Sequence, residues 1–181
     1  SIVLEVLAGE RIDTFAKRRI FEPLGMENTS YNPKPKAGQT IAATDNCSYR
    51  NRLLVGEVHD GNAYALGGVS GNAGLFSTAT DVARFCECLL AGRESRGAFP
   101  LNPSVVRRMF NNAIPETIGG QTLGWFTWPN DGLSAGDFTS RSAIGHTGFT
   151  GTCVILDTEY DMFAILLTNR VCNKDDGIEF R

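Results

Sequence analysis

The stretch Ile144-Gly145-His146-Thr147-Gly148-Phe149-Thr150-Gly151, with the apolar run Thr152 to Leu156 behind it, most narrows the folds open to this chain. Ala143 to Leu156 reads as one strand and Tyr160 to Asn169 as a second, with Asp157-Thr158-Glu159 as the short turn between them. Glycines flank a His-Thr pair, so backbone can come close to a ligand while two polar side chains point at it. A His-bearing, Gly-rich strand on a hairpin is expected at the rim of a cleft.

The segments before it read as helices and loops. Ile2 to Leu7 is an apolar helix broken by Gly9, and Asp13 to Phe21 resumes helical periodicity until Glu22-Pro23-Leu24-Gly25 stops it. Asn32 to Thr40 is a turn-rich connection, Ile41 to Leu54 reads as irregular and polar, and Val55 to Gly74 as loop. Thr78 to Asp81 has capping-box spacing with Asp in place of Glu, and Val82, Phe85, Leu89 and Leu90 form the stripe of a helix that Gly92 should end. Asn102-Pro103-Ser104 opens a further short helix through Phe110, and Gly119 to Trp128 is strand-like. Helices first and antiparallel strands last predict an α+β fold, an antiparallel sheet packed by helices. The helical and loop part is placed at 1–115 and the sheet part at 116–171.

Composition excludes several functions. A chain of 181 residues, 42% hydrophobic and 20% charged, can build a core as one domain or a large piece of one. Net charge is −3 and no basic stripe interleaves with aromatics, so a nucleic-acid partner is not expected. No apolar run approaches a membrane span, and the start lacks both a signal-peptide layout and an initiator Met, so a cut or trimmed chain is expected. Five cysteines (Cys47, Cys86, Cys88, Cys153, Cys172) show no metal spacing, and only two histidines exist. We expect free thiols and neither metal nor cofactor. Such thiols favour a cytoplasmic setting over the cell envelope or secretion.

Three phrases, in order, carry a resemblance. Ile20-Phe21-Glu22-Pro23-Leu24-Gly25-Met26, then Gly56 to Asp60 with Ala65 to Ser77, then Ile144 to Gly151, resemble segments of serine hydrolases related to class C β-lactamases and penicillin-binding proteins. In the third phrase His-Thr-Gly stands where many members have Lys-Thr-Gly. The family's nucleophile lies in Ser-x-x-Lys, and here no serine is followed by Lys three residues later. Tyr49-Arg50-Asn51 matches the family's Tyr-x-Asn box by letters only, well downstream of where that box belongs. The resemblance therefore implies the C-terminal portion of a single β-lactamase-like domain whose nucleophile-bearing N-terminal portion is missing. Alone, this portion is expected to be inactive, and it is expected to self-associate through the apolar surface left uncovered.

The resemblance also implies roles. His146, Thr147 and Gly148 would form one wall of an acyl-transfer cleft, with the Phe149 N–H as an oxyanion donor and Thr150 beside the substrate. Gly148 would let a peptide or small-molecule substrate lie against the strand. His146 replaces a charged Lys with a group that titrates near neutrality, which favours an esterase- or peptidase-like member. His59 beside Asp60 forms a His-carboxylate pair that could support the site. The competing reading is a non-catalytic module that binds a peptide or cell-wall ligand on the same scaffold.

Overall fold

A computed structural model describes residues 1–93, 101–130, 133 and 135–172. The described residues divide into two units, one comprising residues 1–81 with 169–172, the other residues 82–168. The architecture is α+β, with antiparallel pairing in every sheet.

In the first unit, α1 (Ile2–Ala8) ends on a left-handed Gly9, whose N–H reaches Glu5 O. The Glu5 carboxylate accepts the Ile12 N–H at 3.0 Å and so ties α1 to α2 (Ile12–Ala16). A π-helical turn, Lys17–Phe21, follows and delivers Phe21 and Met26 to the interior. Strand β1 (Ser30–Tyr31) will pair with a later strand. Strands β2 (Ala43–Cys47) and β3 (Arg52–Val55) form a hairpin where an irregular segment was expected. Its turn contains Asn51 at φ 50°, the left-handed conformation Asn tolerates better than most residues. The short α3 (Gly61–Ala65) stands within the expected loop, and β4 (Leu75–Phe76) pairs with β1.

Helix α4 (Ala79–Arg93) opens with the Thr78 hydroxyl accepting the Asp81 N–H at 3.2 Å, the expected cap. The carboxylate of Asp81 has another task. Only 1% exposed, it accepts the Asn28 N–H at 2.8 Å and the Thr29 hydroxyl at 2.9 Å. Helix α4 also passes through Gly92 to Arg93 rather than stopping there, because the hydrogen-bonded ladder outweighs the roughly 1 kcal/mol propensity cost of one glycine.

In the second unit, α5 (Pro103–Met109) is capped by the Asn102 side chain, which accepts the Ser104 N–H. Four strands, β5 (Phe126–Thr127), β6 (Ile144–Thr147), β7 (Cys153–Asp157) and β8 (Met162–Leu166), run in that order as an antiparallel meander. The expected strand 119–128 shrinks to two residues plus a bridge from Gln121 to Phe126, since Gly119 and Gly124 sit at φ 99° and 91°, outside the extended region. The expected single strand 143–156 is itself a hairpin. Its chain reverses at 148–152, where Gly148 N–H donates to Thr152 O at 2.7 Å and Gly151 N–H to Gly148 O at 2.9 Å. The expected turn at Asp157 is present and leads into β8.

Register separates the two faces of this sheet. Ile144, Leu156 and Phe163 form one row, His146, Val154 and Ile165 the next, and the aliphatic and Phe members of both pack on Cys86, Leu89, Leu90 and Val106. The opposite face carries Ile155 with Ala164, and Cys153 with Leu166. Met162 and Leu166 on that face are more than half exposed.

Candidate functional site

The predicted site residues 146–150 stand together at the end of β6 and in the turn after it. Pairing to β7, His146 with Val154 and Thr147 with Cys153, fixes the backbone of both residues, while β5 pairs with Ile144 and Gly145 just before them. The His146 imidazole is exposed and stacks on Phe126, with ring centroids 4.7 Å apart and planes 29° apart. Its Nδ1 lies 2.8 Å from the Thr147 carbonyl oxygen. Thr147 is half-buried, while Phe149 is 71% exposed. The site is thus a polar strand end beside an open aromatic.

Gly148 leaves room for a neighbour within the turn. A Cβ there would stand 2.2 Å from the Thr152 hydroxyl, so a side chain at 148 would force that hydroxyl to move. Gly145 is likewise pinned, since a Cβ would meet the Val154 carbonyl at 2.8 Å and Leu133 at 2.9 Å. At the far end of the hairpin, Asp157 accepts the Ser140 N–H at 2.7 Å, the Ser140 hydroxyl at 2.6 Å and the Glu159 N–H at 3.1 Å. Burial pushes this carboxyl up, but those donors outweigh it and hold it below the usual carboxylate range. An apolar cleft of about 290 Å³ opens beside it, lined by Phe138, Ile155, Tyr160 and Met162.

His59 and Asp60 belong to the first unit. Asp60 caps α3, accepting the Ala63 N–H at 2.7 Å, and His59 Nε2 stands 3.8 Å from Asp45. The carboxylate nearest in sequence is thus engaged by the helix, and a more distant one faces the imidazole. Asp45 sits on β2, a strand that the polar Thr-Asp-Asn sequence did not announce. Arg50, the middle of the Tyr-x-Asn lookalike, is buried against Glu57 at 3.0 Å and lies 3.8 Å over the Tyr64 ring. That triplet is a hairpin turn, as its position in the sequence implied. Phe126 went unnoticed as a site neighbour, because its strand is only two residues long. Among the described residues no cluster of His, Cys, Asp and Glu could hold a metal ion, and no helix is long and apolar enough to cross a membrane.

Comparison with known proteins adds the lineage. A family model described as Beta-lactamase matches residues 1–180. A protein of Escherichia coli (strain K12) named "Putative D-alanyl-D-alanine carboxypeptidase" is 32% identical over 93% of this chain and 42% of its own length. An N-acetylmuramyl-L-alanine amidase of Bacillus subtilis (strain 168) is 33% identical over 93% of this chain and 41% of its own. The crystal structure of a β-lactamase from Mycobacterium bovis superposes with a TM-score of 0.61 at 18% identity, covering 94% of this chain and 53% of the other. The chain therefore spans about two-fifths of the length of these curated relatives.

Proposed function

The chain belongs to the β-lactamase family, and from that premise we propose that it contributes one wall of a serine-hydrolase cleft for acyl transfer. The observation that carries this reading is the His146-Thr147-Gly148 strand end, held by pairing to β7 with its imidazole open to solvent. In this reading the Phe149 N–H serves as an oxyanion donor, and Thr147 and Thr150 hydrogen-bond a substrate carbonyl or carboxylate. The names of the two curated relatives, a carboxypeptidase and an amidase, favour an amide substrate of peptidoglycan type over a simple ester.

No serine in the 181 residues is followed by Lys three positions on, so the activity is assigned to the full-length protein and not to this chain alone. The purified chain should turn over neither nitrocefin nor p-nitrophenyl butyrate. In the full-length protein His146→Ala should lower kcat/KM at least about a hundredfold, the lower range for a positioned proton-transfer group. An unchanged kcat/KM in a folded His146→Ala protein removes His146 from the site. Tight binding of a muropeptide with no turnover by the full-length protein would favour the second reading, a non-catalytic cell-wall binding module.

Self-association of the isolated chain is part of the proposal. Ile2, Val3, Val6 and Leu7 of α1 and Met162 and Leu166 of β8 are all exposed apolar side chains. A concentration-independent monomer in size-exclusion chromatography counts against it.

A further inference from the structure

Phe126 and the Thr147 carbonyl act on the same imidazole from two directions. A carbonyl oxygen only accepts, so His146 Nδ1, 2.8 Å away, carries the proton of the neutral ring. The lone pair of neutral His146 then sits on Nε2. Free histidine prefers the other tautomer, so the Nδ1–H form depends on keeping the ring where it can donate to the Thr147 carbonyl. The stack on Phe126, at 4.7 Å and 29°, fixes the plane of the ring. Phe126 pairs in register with Gly145, which presents no side chain opposite it.

We propose that Phe126 is a positioning residue that locks His146 in the Nδ1–H tautomer, so that the strand offers a proton acceptor at Nε2 instead of the cation a Lys would offer. The group this acceptor meets is a donor, either a hydroxyl or an amide N–H of the substrate or the hydroxyl of a catalytic side chain. A carboxylate is the poorest partner for it. Val154, opposite His146 on β7, and Phe126 on β5 are uncharged, and the Cys153 thiol next along β7 is pushed up by burial and stays neutral. The kinetic part of this inference rests on the hydrolase reading of His146, and the tautomer does not.

The test is nitrogen NMR of 15N-histidine-labelled protein, with steady-state kinetics of the full-length protein on a D-alanyl-D-alanine peptide. The signals of the neutral His146 ring should show a protonated Nδ1 and a bare Nε2. Phe126→Leu should average or invert that pattern and lower kcat about tenfold or more with little change in KM, while Phe126→Tyr restores both. A bare Nδ1 in the unmutated protein overturns the assignment, as does an unaltered tautomer in folded Phe126→Leu. An inverted tautomer with unchanged kcat upholds the positioning and overturns only the catalytic reading of His146.

Discussion

Asp81 and Thr29 are joined across 52 residues by a buried hydrogen bond of 2.9 Å from the threonine hydroxyl to the aspartate Oδ2. The same oxygen accepts the Asn28 N–H, and the Thr29 hydroxyl also meets Ser77 Oγ at 2.7 Å. The start of α4 is thereby fastened to the turn that follows the π-helical segment.

Removing that carboxylate takes an acceptor from the Asn28 N–H and from the Thr29 hydroxyl, which keeps its contact with Ser77 Oγ. Asp81→Ala should cost about 1.5–3 kcal/mol, the range of a hydrogen bond to a charged group. Thr29→Val should cost about 1–2 kcal/mol, and the double variant less than the sum. Urea unfolding of the three variants measures this, and strict additivity counts against the shared contact.

Asp157 should make stability depend on acid. Its folded pKa is lowered, so its contribution is complete above the unfolded carboxylate value, near pH 4, and is lost as pH falls through the lower folded value. The stability difference between the unmutated protein and Asp157→Asn should be flat above about pH 5 and shrink below about pH 4. A difference that stays constant down to pH 2.5 contradicts this.

The thiols respond at the other end of the scale. Burial pushes the Cys86 thiol up to about 12 and Cys88 up to about 11. A raised folded pKa means stability fully present below the unfolded thiol value, about 8.5, and lost as pH climbs towards the folded one. Native protein at pH 8 should therefore leave both thiols unlabelled by an aromatic disulfide reagent, and urea should release them. Prompt labelling of either in the folded protein speaks against the buried α4 packing.

Gly148→Ala should destabilise the β6–β7 hairpin by about 1–3 kcal/mol, because its Cβ meets the Thr152 hydroxyl at 2.2 Å. The clash is with one atom, so Thr152→Ala should recover most of the loss in the double variant. A double-mutant cycle with no coupling shows that glycine is needed there for another reason, such as approach of a substrate backbone.

The α+β class and the local signals were legible in the sequence more readily than the course of the strands. The His-Thr-Gly phrase, the Gly9 helix end and the Thr78 cap are local signals, and each lies where periodicity and capping chemistry put it. Two kinds of feature escaped. The apolar run from Ala143 to Leu156 hid a reversal, because Phe149 inside the turn is as apolar as the strands flanking it. The hairpin from Ala43 to Val55 was hidden the opposite way, its residues being polar or half-exposed so that backbone pairing, not a hydrophobic face, defines it. Asn51 was the available clue. Asp81 was legible as a capping residue but not as an anchor, because its partners lie 52 and 53 residues away.

The meander from β6 to β8 pairs each strand with its immediate successor in the chain. Short loops cost little closure entropy, so these ladders can assemble before any distant contact is made. The meander that carries His146 is therefore expected to be an early-folding nucleus, with amide protons among the slowest to exchange, and Asp81 closes its much longer loop only afterwards.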